Sequence, residues 1–208
     1  MIKLTSLLKE IETRKILVPR RSGEERERNR IIALKRQIEL NTKNGVYEGN
    51  LNLQNAGLTS LEFLGLGNIN ITGHFDCTHN KLTSLKGAPE SVGGGFYCSS
   101  NNLTSLEGAP ERVGGDFDCS SNNLTSLEGA PERVGGSFYC GGNKLTSLKD
   151  APERVGGSFG CSGNILTSLE GAPERISGDF HCSSQRNGVK FSKEDVRKVS
   201  NVKGRIFV

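Results

Sequence analysis

The chain has 208 residues, 34% hydrophobic and 24% charged, the composition of an ordinary soluble protein. No apolar run approaches the roughly 18 residues that a bilayer span requires, and the first residues, MIKLTSLLKEIETRK, lack the apolar stretch of a secretory signal. No membrane-spanning helix and no secretory leader are therefore expected, and the chain is read as intracellular. The formal net charge of +4 is unevenly spread. Residues 1–50 hold 12 Lys/Arg against 7 Asp/Glu, residues 51–185 hold 8 against 14, and residues 186–208 hold 7 against 2. Basic ends flank an acidic middle. Such ends can hold nucleic acid or another anionic partner, or can simply be solvated helix faces.

From the N-terminus, Ile2, Leu4, Leu7, Leu8 and Ile11 fall near helical spacing, and Ile31, Leu34 and Ile38 form a second stripe. Residues 1–50 are therefore expected to be a helical flank that caps the rest of the chain. A degenerate unit begins at Leu51 and Leu53 and continues to Leu58 and Leu61, followed by a three-residue insertion within EFLGLGNINITGHF. From there the chain repeats every 21 residues. Phe75, Phe96, Phe117, Phe138, Phe159 and Phe180 are evenly spaced, as are Cys77, Cys98, Cys119, Cys140, Cys161 and Cys182. One unit reads GGxFxCSxNxLTSLxGAPERV. A fixed short period of this kind is the signature of a solenoid.

The unit explains itself physically. In FxC, apolar and polar residues alternate as in a strand with one buried face. Gly-Gly ahead of it permits a tight corner, and the Asn after it (Asn80, Asn101, Asn122, Asn143, Asn164) can turn the chain and bond neighbouring coils as a ladder. Leu103 and Leu106 then point inward, Ala109-Pro110 rules out a continuing helix, and Val113 closes the apolar ring. One coil cannot fold alone, but stacking at about 4.8 Å supplies the missing core. The stack needs capping at residues 186–208 as well. There Ser192 to Asp195 reads as a capping box, followed by Val196, Val199 and a short apolar end at Ile206–Val208.

FYCSSNNLTSL, from Phe96 to Leu106, resembles the leucine-rich-repeat pattern L-x-L-x-x-N-x-L-x-x-L, with Phe and Cys standing for two leucines. The likeness spans residues 51–185. It implies a solenoid of about seven coils, the first degenerate and the last partial, with a parallel sheet on one face and mostly irregular outer segments. The repeat, with KILVPRR before it and EDVRKVSNVKG after it, is similar to leucine-rich-repeat proteins of large tailed bacteriophages. That resemblance implies a phage protein in the host cytoplasm or the virion, and it carries over no catalytic residues.

The six cysteines form one inward column, so they suit core packing better than a tetrahedral metal site, and no cofactor is expected. His74, His79 and His181 are too far apart along the stack for a shared site. No Ser–His–Asp arrangement marks a hydrolase, so catalysis is not expected. GLGN at Gly65–Asn68 fails as a dinucleotide fingerprint because Asn70 replaces the third glycine. The residues flanking each Phe should face outward, on the concave side in the family architecture. One column reads His74, Gly95, Asp116, Ser137, Ser158, Asp179, and the next reads Asp76, Tyr97, Asp118, Tyr139, Gly160, His181. Asp76, Tyr97, Asp116, Asp118, Tyr139 and His181 are the candidate contacts for a protein partner, because tyrosine among small polar residues adds contact area at low entropy cost. A structural rod or virion component is the alternative. Nucleic acid on the basic flanks is a third reading, and the acidic repeat face argues against nucleic acid lying along the sheet. The Glu-Arg dipeptides, from Glu111-Arg112 to Glu174-Arg175, are expected to pair weakly across coils.

Overall fold

The computed structural model describes residues 22–208, so the stripe from Ile2 to Ile11 and the KILVPRR segment lie outside the described residues. Helix α1 (Ser22–Asn41) leads into a parallel-sheet β-solenoid, and helix α2 (Lys193–Val199) lies within its last turn. No described helix is long and apolar enough to cross a membrane.

Each coil contributes one two-residue strand from FxC to a sheet of eight parallel strands, running from Leu51–Asn52 to Ile206–Phe207. Register is strict: Phe75, Phe96, Phe117, Phe138, Phe159 and Phe180 are direct partners of one another along the sheet. All six rings are fully buried, with neighbouring centroids 5.1 to 5.7 Å apart. That spacing lies in the favourable range for aromatic pairs. The cysteines, Leu103, Leu106 and their equivalents form further buried columns beside them.

The outer segment is mostly irregular, as expected, and adds one two-residue strand per coil. Arg112–Val113, Arg133–Val134, Arg154–Val155 and Arg175–Ile176 pair in parallel as part of a second sheet of nine strands, antiparallel only where Thr42–Lys43 meets Val46–Tyr47. The physical reason is that an in-register stack must satisfy its outer backbone too. A β-branched residue facing inward, shortly past a proline, can do so with only two residues per coil.

The asparagine column binds the coils together. Asn122 Oδ1 accepts from Leu103 N–H of the preceding coil at 3.0 Å, and its Nδ2 donates to Cys98 O and Cys119 O at 3.1 Å each. Asn80, Asn101, Asn143 and Asn164 repeat the arrangement. Gln185, one period after Asn164, takes over at the end: it accepts from Leu166 N–H and donates to Cys161 O and Cys182 O.

Both ends are closed by side chains from the flanks. Ile38 of α1 is buried in the core, with Ile31 and Leu34 partly buried beside it. At the other end Ser192 and Asp195 form the capping box, Val196 is buried, and Ser200 Oγ donates to Pro173 O at 2.6 Å. The C-terminal segment is also the last turn itself, since Asn201–Val202 and Ile206–Phe207 extend both sheets.

One position per coil requires a left-handed backbone before Ala-Pro. Gly87, Gly108, Gly129 and Gly171 occupy it with φ between 82° and 92°, whereas Asp150 adopts φ 65° there. A side chain in this region costs about 1–2 kcal/mol. Asp150→Gly is therefore expected to raise stability by about 1 kcal/mol in urea unfolding, and an unchanged or lower midpoint would contradict this account. Asn122→Ala orphans the buried Leu103 N–H and loses two donated bonds, which should cost about 3 kcal/mol. Asn123→Ala, on the half-exposed neighbour, should cost under about 0.5 kcal/mol in the same measurement.

Candidate binding face

The Phe-containing strands place the residue after each Phe on the outer side of the sheet. Asp76, Tyr97, Asp118, Tyr139, Gly160 and His181 are successive register partners, so they form one straight column. Tyr97 and Tyr139 stand two strands apart with Asp118 between them, about 9–10 Å from one another by strand spacing. Asp76, Tyr97, Asp118 and His181 are half-buried, and Tyr139 is 37% exposed. The column continues one step further, to Phe207, whose ring stacks on His181 at 4.5 Å with 3° between the planes.

The neighbouring column, which holds Asp116, is a second hydrogen-bonded ladder. The side chain at this position accepts the backbone N–H of the equivalent residue one coil on. Asn50 accepts from His74, His74 Nδ1 from Gly95, Asp116 from Ser137, Ser137 from Ser158, Ser158 from Asp179, and Asp179 from Arg205. Gly95 has no side chain, so the ladder lacks one rung there. Asp116 is thus both a rung of the ladder and a neighbour of Tyr97.

The electrostatics around Tyr97 are negative. Partial burial, and then the charges of Asp116, Asp118 and Asp76, raise its phenol above the ordinary value. Asp76 Oδ1 is turned back onto Thr78 N–H and Oγ1–H, and Asp118 Oδ1 onto Ser120 N–H. Each carboxylate therefore keeps one oxygen outside these bonds. His74 lies 5.9 Å from the Tyr97 ring. At the far end, Arg205 pairs with Asp179 at 3.4 Å and sits 5.2 Å from the Phe207 ring centroid. The Arg205 N–H and guanidinium hold the Asp179 carboxyl below its usual range.

The structure thus brings Asp76, Tyr97, Asp116 and Asp118 together, with Tyr139 beside Asp118. It places His181 apart, in an aromatic and cationic group with Phe207 and Arg205. Sequence reasoning missed that group because Ile206 follows Phe180 by 26 residues, which hides Phe207 from a 21-residue period. The Glu-Arg dipeptides make no ion pair among the described residues, contrary to expectation. Within the regular repeats, pairs across coils fall instead at the position after Ser-Leu: Lys86 with Glu107 at 3.2 Å, and Lys149 with Glu170 at 3.4 Å. Outside the second sheet, the stacked arginines, with Pro131, Pro152 and Lys203, line an open groove of about 1150 Å³. Glu132 and Glu153 line the same groove, so its charge is mixed.

No protein-family model, curated protein or solved structure matches the chain.

The six cysteines are free and buried. Burial pushes the thiols of Cys77, Cys98, Cys119, Cys140 and Cys161 well above their ordinary value, and that of Cys182, the last of the column, to about 11. The folded chain therefore holds these protons where the unfolded chain, with thiols at about 8.5, releases them. The stabilisation is complete below about pH 8.5 and is lost as pH rises toward 11 and beyond, each thiol removing about 1.4 kcal/mol per pH unit in that window. Melting temperature should fall steeply between about pH 9 and pH 10.5, and less steeply in Cys98→Ala/Cys119→Ala. A flat profile would show that the thiols are not buried as protonated groups. All six should react with a thiol reagent after denaturation without reductant, whereas recovery of two or fewer would indicate oxidation.

Proposed function

We propose that the chain is a leucine-rich-repeat-type binding module, a binder and not a catalyst, that captures a protein through the outer face of its Phe-containing sheet. One observation carries this reading. Tyr97 and Tyr139 occupy a single straight column with Asp118 between them, on a surface that varies from coil to coil while the Thr-Ser and Glu-Arg columns barely change. Aromatic anchors among polar neighbours are the usual form of an interface hot spot. The three aspartates around Tyr97 favour a basic partner segment and disfavour nucleic acid along this face. The resemblance of the repeat and flanks to phage leucine-rich-repeat proteins supports a setting in the host cytoplasm or the virion. A rod-like structural role is the second reading, supported by the uniform Glu-Arg surface on the second sheet.

The test immobilises the full chain, identifies a captured protein from host or infected cells, and measures its affinity for two variants. Tyr97→Ala/Tyr139→Ala should fold normally and bind at least about 30-fold more weakly, the loss expected for one hot-spot residue or more. Arg133→Ala/Arg154→Ala should bind within about threefold of the parent. Unchanged affinity in the tyrosine variant would remove the proposed face, and a loss confined to the arginine variant would move the interface to the second sheet.

A further inference from the structure

Two glycines on the outer face are not needed by the backbone. Gly95 occupies the position that His74, Asp116, Ser137, Ser158 and Asp179 fill in other coils, and Gly160 the position of Asp76, Tyr97, Asp118, Tyr139 and His181. Neither has a positive φ. Glycine in a strand costs about 0.5–1 kcal/mol relative to alanine, and Gly95 also forgoes the acceptor that its column provides elsewhere. What occupies the vacated space is a tyrosine in each case. A Cβ on Gly95 would lie 2.5 Å from the Tyr97 hydroxyl oxygen and 2.6 Å from its Cζ, and one on Gly160 would lie 2.9 Å from Tyr139 Cδ1. Tyr97 therefore leans back along its own strand, and Tyr139 leans across to the next.

We infer that Gly95 and Gly160 are positioning residues: Gly95 seats Tyr97 beside Asp76, Asp116 and Asp118, and Gly160 seats Tyr139 on the far side of Asp118, so that the face is preset for cationic side chains of the partner. The inference rests on the binding-face reading and adds the partner's chemistry. Guanidinium is the group that suits both elements, since it associates with aromatic rings and pairs with carboxylates. Loss of local stability without a backbone need is the expected mark of a site shaped for a ligand. Preset rings also lose less freedom on binding than rings that must first be ordered.

The experiment uses the full chain, Gly95→Ser and Gly160→Ser, with hexa-arginine as the probe at low salt. Gly95→Ser restores the rung that Ser137 and Ser158 supply in their coils, so it should melt within about 3 °C of the parent or above it. Its Tyr97 ring should lose nuclear Overhauser contacts to residue 95 and to His74, and its affinity for hexa-arginine should fall about tenfold, close to that of Tyr97→Ala. Gly160→Ser should do the same for Tyr139. A large fall in melting temperature, or a ring that stays in place, would overturn the seating. Displaced rings with unchanged affinity, alongside a weakened Tyr97→Ala, would overturn the positioning role and keep the face. Failure of the parent chain to bind hexa-arginine would overturn the cationic assignment. The alanine variants against the captured protein would then still decide separately whether the face binds at all.

Discussion

The structure depends on one buried amide per coil. A chain that turns sharply after two residues of strand leaves polar backbone groups inside the core, where water cannot reach them. Asn101 meets this need for its own coil and the one before: it accepts the Leu82 N–H and donates to Cys77 O and Cys98 O. Because each amide spans two coils, neither coil can shift along the stack without orphaning a buried group. The 21-residue period is the consequence of that constraint. Loop segments are free to change length only where they leave the ladder intact, as they do before Phe75 and after Gln185.

Given the ladder, positions divide into those that the stack dictates and those that it leaves open. Phe117, Cys119, Leu124, Leu127 and Val134 are buried in columns where any change in volume would be felt by two neighbours. The Gly-Gly corner is equally constrained, because a Cβ on Gly135 would collide with the Gly114 carbonyl oxygen below it. Outward positions carry no such demand. There a His, Asp or Ser can each serve as a rung, since any of them accepts one N–H. These tolerant columns are where the sequence is free to vary from coil to coil, and that is where the tyrosines, the aspartates, Gly95 and Gly160 are found.

The core was legible before the structure because its logic is periodic. Phe, Cys, Leu and Asn recur at one interval, and parity within FxC is enough to turn them inward. Ser192 and Asp195 were legible for a local reason, a capping box being a pattern of four residues. The second sheet was less so, since two residues of strand after a proline show no alternation to read. Phe207 and Arg205 were hidden by the insertion between Gln185 and Asn201, which breaks the period while the sheet continues across it. The Glu-Arg pairing failed because adjacency in a repeat does not decide where flexible, exposed side chains point. The seating of Tyr97 on Gly95 lies beyond sequence reading altogether, because it depends on which way a ring leans. The column that holds Tyr97 was nevertheless identified.

Hydrogen exchange at the leucine amides held by the ladder tests the central claim most directly. Leu82, Leu103, Leu124, Leu145 and Leu166 donate to side chains and not to backbone, so no regular secondary structure protects them. If the amide column binds the coils together, these five N–H groups exchange only through global unfolding, with the same free energy as Cys98 and Cys119 in the adjoining sheet. Exchange at these leucines that is much faster than at the two cysteine amides would contradict the account, because it would mean that the coils stay stacked while the ladder opens.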